Sequence, residues 1–350
     1  MSKNTPRGYS YLNQRFPTLA QKLARLPLAD LPTPLERLES DGSLWVKRDD
    51  LTHRVYGGNK VRKLEYLLAD ARQRGKENVV TFGGVGSNHA LATALHATRN
   101  DLACTAMLMP QRMTDFVRGT LTRHQSNGTA LTQYYFDREK RVASLRHLRD
   151  TSKLAVVPMG GTSPLGSIGY VNAAFEIAEQ WPAGSPPPER IYLACGTMCT
   201  AAGLAVGMAM LGWPTQIIAV RVIDVDECNE RAIKTLCQKI WRRLKLADTT
   251  LPDIDDPAAN VQIRHDYLGA GYADPTPAAK AAVTDAASRW RLSLESTYTG
   301  KAMACLTDEW PDKATDSRWV FWQTYSGNPT RTLTNKTLTG DYADFFSLCS

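Results

Sequence analysis

Long apolar runs are missing from this chain of 350 residues. The opening stretch MSKNTPRGYSYLNQRF holds neither a signal-peptide core nor a membrane span, so a cytoplasmic protein with no membrane partner is expected. Cysteine is sparse and unpatterned: the seven residues (Cys104, Cys195, Cys199, Cys228, Cys237, Cys305, Cys349) are odd in number and form no repeated close pair. That excludes a disulfide framework and a zinc ribbon and fits a reducing compartment. No His or carboxylate spacing completes a metal site around the adjacent acids Asp49 and Asp50, which are read as turn caps. A Walker loop is absent because no GK[ST] follows any glycine turn, and the glycine spacing does not fit a dinucleotide fingerprint. The formal charge of +7 comes from scattered Lys and Arg without an aromatic-basic stripe, so nucleic acid is not expected as a partner. The excess is read as solubility or a mild preference for anionic substrates. Internal repeats and heptads are also lacking.

What is present is an ordinary globular composition, 43% hydrophobic and 22% charged, enough to bury one large or two medium cores. From about Asn78 to Trp181, β and α patterns alternate with short turns, a proline-rich WPAGSPPPER follows, and IYLAC opens a second series. LADTTLPDIDDPAANVQ reads as a surface loop, LSLES as a strand ending near Tyr298, and the tail to Ser350 carries no signal.

Three junctions carry chemistry. In YGGNKVRKLEYLLADARQR, Gly57 and Gly58 allow a tight turn, and Leu64, Leu67, Leu68 and Ala71 recur at helical spacing, leaving Arg62, Asp70 and Arg74 to stay wet. Lys60 then stands where the helix begins, so the positive end of the helix dipole and partial desolvation lower its pKa toward a nucleophilic amine. In NVVTFGGVGSNHALATALHATR, a strand runs through Gly83-Gly84-Val85-Gly86 into a helix at Ser87-Asn88. Such a junction suits an anion, or Ser87 or Asn88 simply caps the helix; His89 and His96, seven apart, read as structural. In IYLACGTMCTAAGLAVGMAML, the amides of Gly196 to Thr200 and the hydroxyls of Thr197 and Thr200 form a phosphate cradle in physical terms. The alternative is a plain helix start where Gly203 and Gly207 allow close packing.

KRDDLT, GGNKVRKLEYL, GGVGSNHA, GGTSPLGSIGYVNAAFEI, GYADPTP and YTGKAMA, in this order over residues 27–330, resemble the pyridoxal-phosphate (PLP) lyases of the D-cysteine desulfhydrase and aminocyclopropane-carboxylate (ACC) deaminase family. The resemblance implies the tryptophan synthase β-like arrangement of PLP fold type II. That is an α/β protein of two open parallel-sheet domains, a small domain (58–166) inserted in a large PLP-binding one (1–57 and 167–350), with the cofactor between them. It implies that Lys60, and not Lys63, bonds the cofactor covalently. Asn88 is then expected on the cofactor's phenolic oxygen, and Ser87 with the amides of Asn88 and His89 on the substrate carboxylate. Gly196, Thr197, Met198, Cys199 and Thr200 correspond to the phosphate site, and Tyr272 and Tyr298 to two tyrosines facing the substrate. Thr299 and Thr324 fall where the family separates its activities. A homodimer acting on a small amino acid is also implied.

Position 299 bears on the reaction. A carboxylate beside the pyridine nitrogen keeps it protonated and makes the ring a deep electron sink, as in ACC deaminases with Glu there; the Thr299 hydroxyl leaves a shallower one. Elimination of a β-substituent is therefore expected over opening of a cyclopropane, with D-cysteine going to pyruvate, sulfide and ammonia. Three segments depart from the family: GTMCT for GSGGT, SNHALAT with Leu91 and Ala92 for Arg and Gln, and Gln323-Thr324-Tyr325-Ser326-Gly327 for HTGG. They leave open L-cysteate or another small amino acid as substrate, ACC deaminase-like activity, and a catalytically altered binding protein.

Overall fold

The computed structural model describes residues 9–39, 43–134, 151–310, 317–326 and 337–349. In chain order these hold α1 (Tyr11–Arg15), α2 (Pro17–Lys22), β1 (Leu35–Arg37), β2 (Leu44–Arg48), α3 (Lys60–Gln73), β3 (Asn78–Gly84), α4 (Asn88–Thr98), β4 (Ala103–Met109), α5 (Asp115–Ser126), β5 (Ala130–Gln133) and β6 (Leu154–Val157). There follow α6 (Pro164–Gln180), β7 (Arg190–Cys195), α7 (Cys199–Leu211), β8 (Gln216–Arg221), α8 (Glu230–Ala247), β9 (Val261–Arg264), α9 (Pro277–Trp290), α10 (Thr299–Glu309), β10 (Trp319–Gln323) and α11 (Asp341–Cys349).

The chain forms two compact units, Met1–Tyr66 with Thr162–Gly327 and Leu67–Gly161 with Asn328–Ser350. The first carries a six-stranded sheet in the order β1-β2-β10-β7-β8-β9, parallel except for the edge pair β1 and β2. The second carries a four-stranded parallel sheet, β5-β4-β3-β6. Central strands read as continuous apolar runs because both faces are covered; Ile191 to Leu193 and Ile217 to Val220 are wholly buried. Among the described residues no helix is long and apolar enough to cross a membrane.

The boundaries differ from those expected at 57/58 and 166/167. Lys60 to Tyr66 belongs to the first unit because Tyr66 joins that unit's core and Arg62 is anchored there. The tail, expected with the large domain, closes the second unit through α11. Phe345 and Cys349 pack with Val117, Leu121 and Leu131, Met113 N–H bonds Cys349 O at 3.0 Å, and the Tyr342 hydroxyl bonds Thr129 O at 2.6 Å.

Local readings meet tertiary context in other places. Residues 292–296 form no strand: Leu292 and Leu294 alternate inward, but the Gln323 amide, not a neighbouring strand, bonds Ser293 O at 2.7 Å. The loop read at 246–262 ends in β9, paired in parallel with β8. Pro17 opens α2, where its missing N–H costs nothing. β5 ends at Gln133, and Tyr135 and Phe136 beyond it, like Gly327, lie outside the described residues.

Candidate active site

Lys60 begins α3, and the turn before it is pinned on both sides. Gly58 N–H bonds Asp49 O at 2.8 Å, Gly57 N–H bonds Ser326 Oγ at 3.1 Å, and Asn59 N–H bonds Thr324 O at 3.1 Å. A Cβ on Gly57 would lie 2.3 Å from Asp50 O, and Gly58 has φ +88° with Thr324 O only 2.8 Å from its missing Cβ. The turn therefore requires both glycines. Lys60 Nζ donates to Asn59 Oδ1 at 2.8 Å, and Asn59 Nδ2 donates to Thr200 Oγ1 at 3.0 Å. Burial holds the Lys60 amine well below the ordinary lysine range, Lys63 adds to the effect, and Cys199 and Glu295 oppose it.

Beneath the turn lies a buried ionic network that the sequence reading missed. Arg62, expected in water, is fully buried and bonds Asp49 at 2.7 Å and Glu176 at 2.9 Å. Asp49 is no turn cap: it also accepts from Tyr170 Oη at 2.7 Å and Trp322 Nε1 at 2.8 Å. Lys47 completes the set at 2.5 Å from Glu176. Burial alone would raise the Glu176 carboxyl, yet Arg62 and Lys47 pull it down to about 2. The amphipathic pattern of α3 places Arg62 by angle only; its partners lie up to 114 residues away. Asp70 and Arg74 do stay near water, paired at 3.1 Å.

The loop after β7 enters α7 through Met198, a non-glycine residue at φ 62°, which gives the helix no side-chain cap. Cys199 N–H turns back to Thr197 O at 2.8 Å, so the five amides do not all point one way. Thr197 Oγ1 accepts from Thr162 Oγ1 at 2.6 Å, and Cys199 Sγ lies 3.1 Å from Ser167 Oγ. Gly203 and Gly207 let α6 and α7 touch: Cβ atoms there would come within 2.5 Å of Tyr170 Cβ and 2.4 Å of Ala174 Cβ. Close packing and a helix start without a side-chain cap thus coexist, because Gly203 and Gly207 face α6 from beyond the first turn, whose N–H groups precede them.

Tyr298 lies next to this loop; a Cβ on Gly196 would sit 3.6 Å from its Cε1. Its hydroxyl bonds that of Tyr272 at 2.7 Å, although Tyr272 is half exposed. Burial raises the pKa of both phenols, and the charge of Glu295 raises both further. Glu295 was not singled out in the sequence. Its Oε1 accepts from Tyr298 N–H at 2.9 Å and Thr299 N–H at 2.8 Å, and its Oε2 from Thr297 N–H at 2.8 Å. Thr299 Oγ1 in turn accepts from Glu295 N–H at 3.0 Å, so the two residues cap each other reciprocally. Lys301 is buried and donates to Leu268 O at 2.6 Å, tying α10 to the segment that leads to Tyr272.

Lys60, Asn59, Thr200, Thr324, Gly196, Tyr298 and Tyr272 are thereby linked within the first unit. Ser87, Asn88 and His89 stand in the second. There Ser87 caps α4, its Oγ accepting from Ala90 N–H at 3.2 Å, and His89 Nε2 lies 3.0 Å from Thr81 Oγ1. Gln111, which no sequence signal marked, accepts from Gly86 N–H at 3.1 Å and takes one donor from the glycine turn.

Comparison with known proteins adds to this geometry. A family model described as pyridoxal-phosphate dependent enzyme matches residues 22–322. Nocardicin C-9' epimerase of Nocardia uniformis subsp. tsuyamanensis is 33% identical over 314 residues, 87% of this chain and 93% of that protein. D-cysteine desulfhydrase of Salmonella choleraesuis (strain SC-B67) is 35% identical over 306 residues, 82% of this chain and 88% of that one. A solved structure described as an ACC deaminase homologue superposes with a TM-score of 0.72 at 27% identity, covering 95% of this chain and 98% of its own.

Proposed function

The chain belongs to the pyridoxal-phosphate-dependent enzymes, in the D-cysteine desulfhydrase and ACC deaminase family, and from that premise we propose that it is a carbon–sulfur lyase acting on a small β-substituted amino acid. D-cysteine is the first candidate: with one water it would give pyruvate, hydrogen sulfide and ammonia. Assembly as a cytoplasmic homodimer is part of this reading.

The donor set suits the cofactor. A phosphate dianion suits the α7 N-terminus, where the helix dipole and the Thr200 hydroxyl are at hand and no side chain caps the helix. Lys60 supplies an amine held toward its neutral form, and Asn59 spans the distance from that amine to Thr200. This linkage is the observation that carries the proposal. Bound there, the cofactor supplies the electron sink that lets a Cα–H bond ionise.

The chain's own groups divide the remaining work. The Lys60 amine would take the α-proton of the bound substrate. Ser87 and the first amides of α4, at Asn88 and His89, are assigned to the substrate carboxylate, with the Asn88 side chain on the cofactor. Tyr298 and Tyr272, neutral and hydrogen-bonded to each other, are assigned to orient the β-substituent and to donate a proton as it leaves. Thr299 presents an uncharged hydroxyl at the start of α10, which favours prompt loss of a β-substituent.

Assaying pyruvate and sulfide release from D-cysteine, L-cysteine, L-cysteate and ACC tests the reading. D-cysteine should turn over fastest, and Lys60→Ala should abolish both turnover and the visible absorbance retained after gel filtration. A Lys60→Ala protein that kept both would end the proposal. The 33% identity to an epimerase favours a second reading, in which the α-proton returns without elimination. Deuterium uptake at Cα from D2O without pyruvate would select it, and saturable binding with neither reaction would mark a sensor.

A further inference from the structure

We propose that Glu295 is a positioning residue of this site, holding Tyr298 and Thr299 with one carboxylate and setting its negative charge beside the tyrosine pair. The inference rests on the reading of Lys60 and α7 as the cofactor site. The threonine at 299 carries no charge, but the structure puts a carboxylate one helical turn before it. Three successive N–H groups, from Thr297 to Thr299, converge on that carboxylate within 2.9 Å. Thr299 Oγ1 is held by Glu295 N–H, and its own hydrogen has the main-chain oxygen and Oε1 of Glu295 in reach, each at 3.3 Å. Both contacts are long, so the hydroxyl hydrogen can turn to a better acceptor while the oxygen stays in place.

A helix cap would explain the backbone bonds, since Tyr298 at the N-cap of α10 supplies none. It would not require a charge. The charge acts further out, because the same carboxylate raises the proton affinity of Lys60, Tyr272, Tyr298 and Lys301. The other titratable groups facing this cluster are Tyr56 toward Tyr298, Asp274 toward Lys301, and Lys63 and Cys199 toward Lys60. Burial holds both Lys60 and Lys63 low, and the Glu295 carboxylate acts on the Lys60 amine and on the two phenols alike.

Glu295→Gln and Glu295→Asp in the holoenzyme make the test. The amide keeps one acceptor oxygen for the Tyr298 and Thr299 N–H groups and loses the charge together with the acceptor for Thr297 N–H, a backbone loss that lowers melting temperature but does not by itself move a pH limb. In Glu295→Gln the alkaline limb of kcat should move to lower pH by about one unit, with kcat down about tenfold and KM within about twofold. Tyrosinate difference absorbance, referenced to Tyr298→Phe, should move in the same direction. Glu295→Asp, which retains the charge, should recover most of the wild-type limb. A Glu295→Gln enzyme with an unchanged limb and kcat, altered only in melting temperature, would reduce Glu295 to a cap and overturn the inference. Should Glu295→Gln not fold, a Glu295→Asp limb displaced as far as that of a charge-free Glu295→Ala enzyme would overturn it equally. Wild-type protein without cofactor absorbance would instead refute the underlying site assignment.

Discussion

Lys60 Nζ donates to Oδ1 of the residue before it, Asn59, at 2.8 Å, while the other end of that amide holds Thr200. Asn59 thus presents a neutral acceptor to an amine that burial has already pushed toward its free form. Asn59→Asp would replace it with an anion, favour the ammonium, and move the acid limb of kcat/KM to higher pH by about one unit. Asn59→Ala would leave Thr200 without its donor and weaken cofactor affinity by about tenfold. A pH–rate profile and equilibrium dialysis check the two outcomes.

Arg62 is the next test. Its removal leaves Asp49 and Glu176 as buried carboxylates with Lys47 as the remaining buried cation. Arg62→Met should therefore destabilise the protein by about 3–5 kcal/mol, read as a lower urea midpoint at unchanged slope. A loss below about 1 kcal/mol would show that the network relaxes or admits water.

Met198 occupies the left-handed region, where a side chain costs about 1–2 kcal/mol. Met198→Gly should be more stable than Met198→Ala by about 1 kcal/mol, the two differing only in the Cβ at that φ. Paired melting curves measure it.

His124 gives a pH dependence of known sign. Both its ring nitrogens lack a partner among the described residues, and burial, with Arg123 adding, pushes its pKa down to about 3. Unfolded histidine takes a proton near pH 6.5, so below that pH the unfolded state binds more protons and stability falls, until about pH 3. At pH 5 the loss is about 2 kcal/mol. His124→Leu should flatten the stability curve between pH 6.5 and 5; an unchanged slope would place the acid sensitivity elsewhere.

Much of the local structure around Lys60 could be read from the sequence. Gly57 and Gly58, the start of α3 at Lys60, the strand-to-helix junction at Gly196 and the β/α alternation are local signals, written within a few residues of what they shape. Asn59, Glu295 and Gln111 were missed for one shared reason. Each acts through an amide or carboxylate whose partners are set by how the chain turns, and an isolated Asn, Glu or Gln resembles any solvated one.

Most of the β/α alternation, the turn glycines and the family follow from local signals, because periodicity, φ preference and motif order need no distant partner. The burial of Arg62 and Asp49, the exclusion of residues 292–296 from the sheet and the closing of the second unit by α11 emerge in the folded chain alone. The reason is that burying a charge or an unpaired backbone group is tolerable only beside the right partner. For Arg62 and Trp322 those partners stand up to 273 residues along the chain.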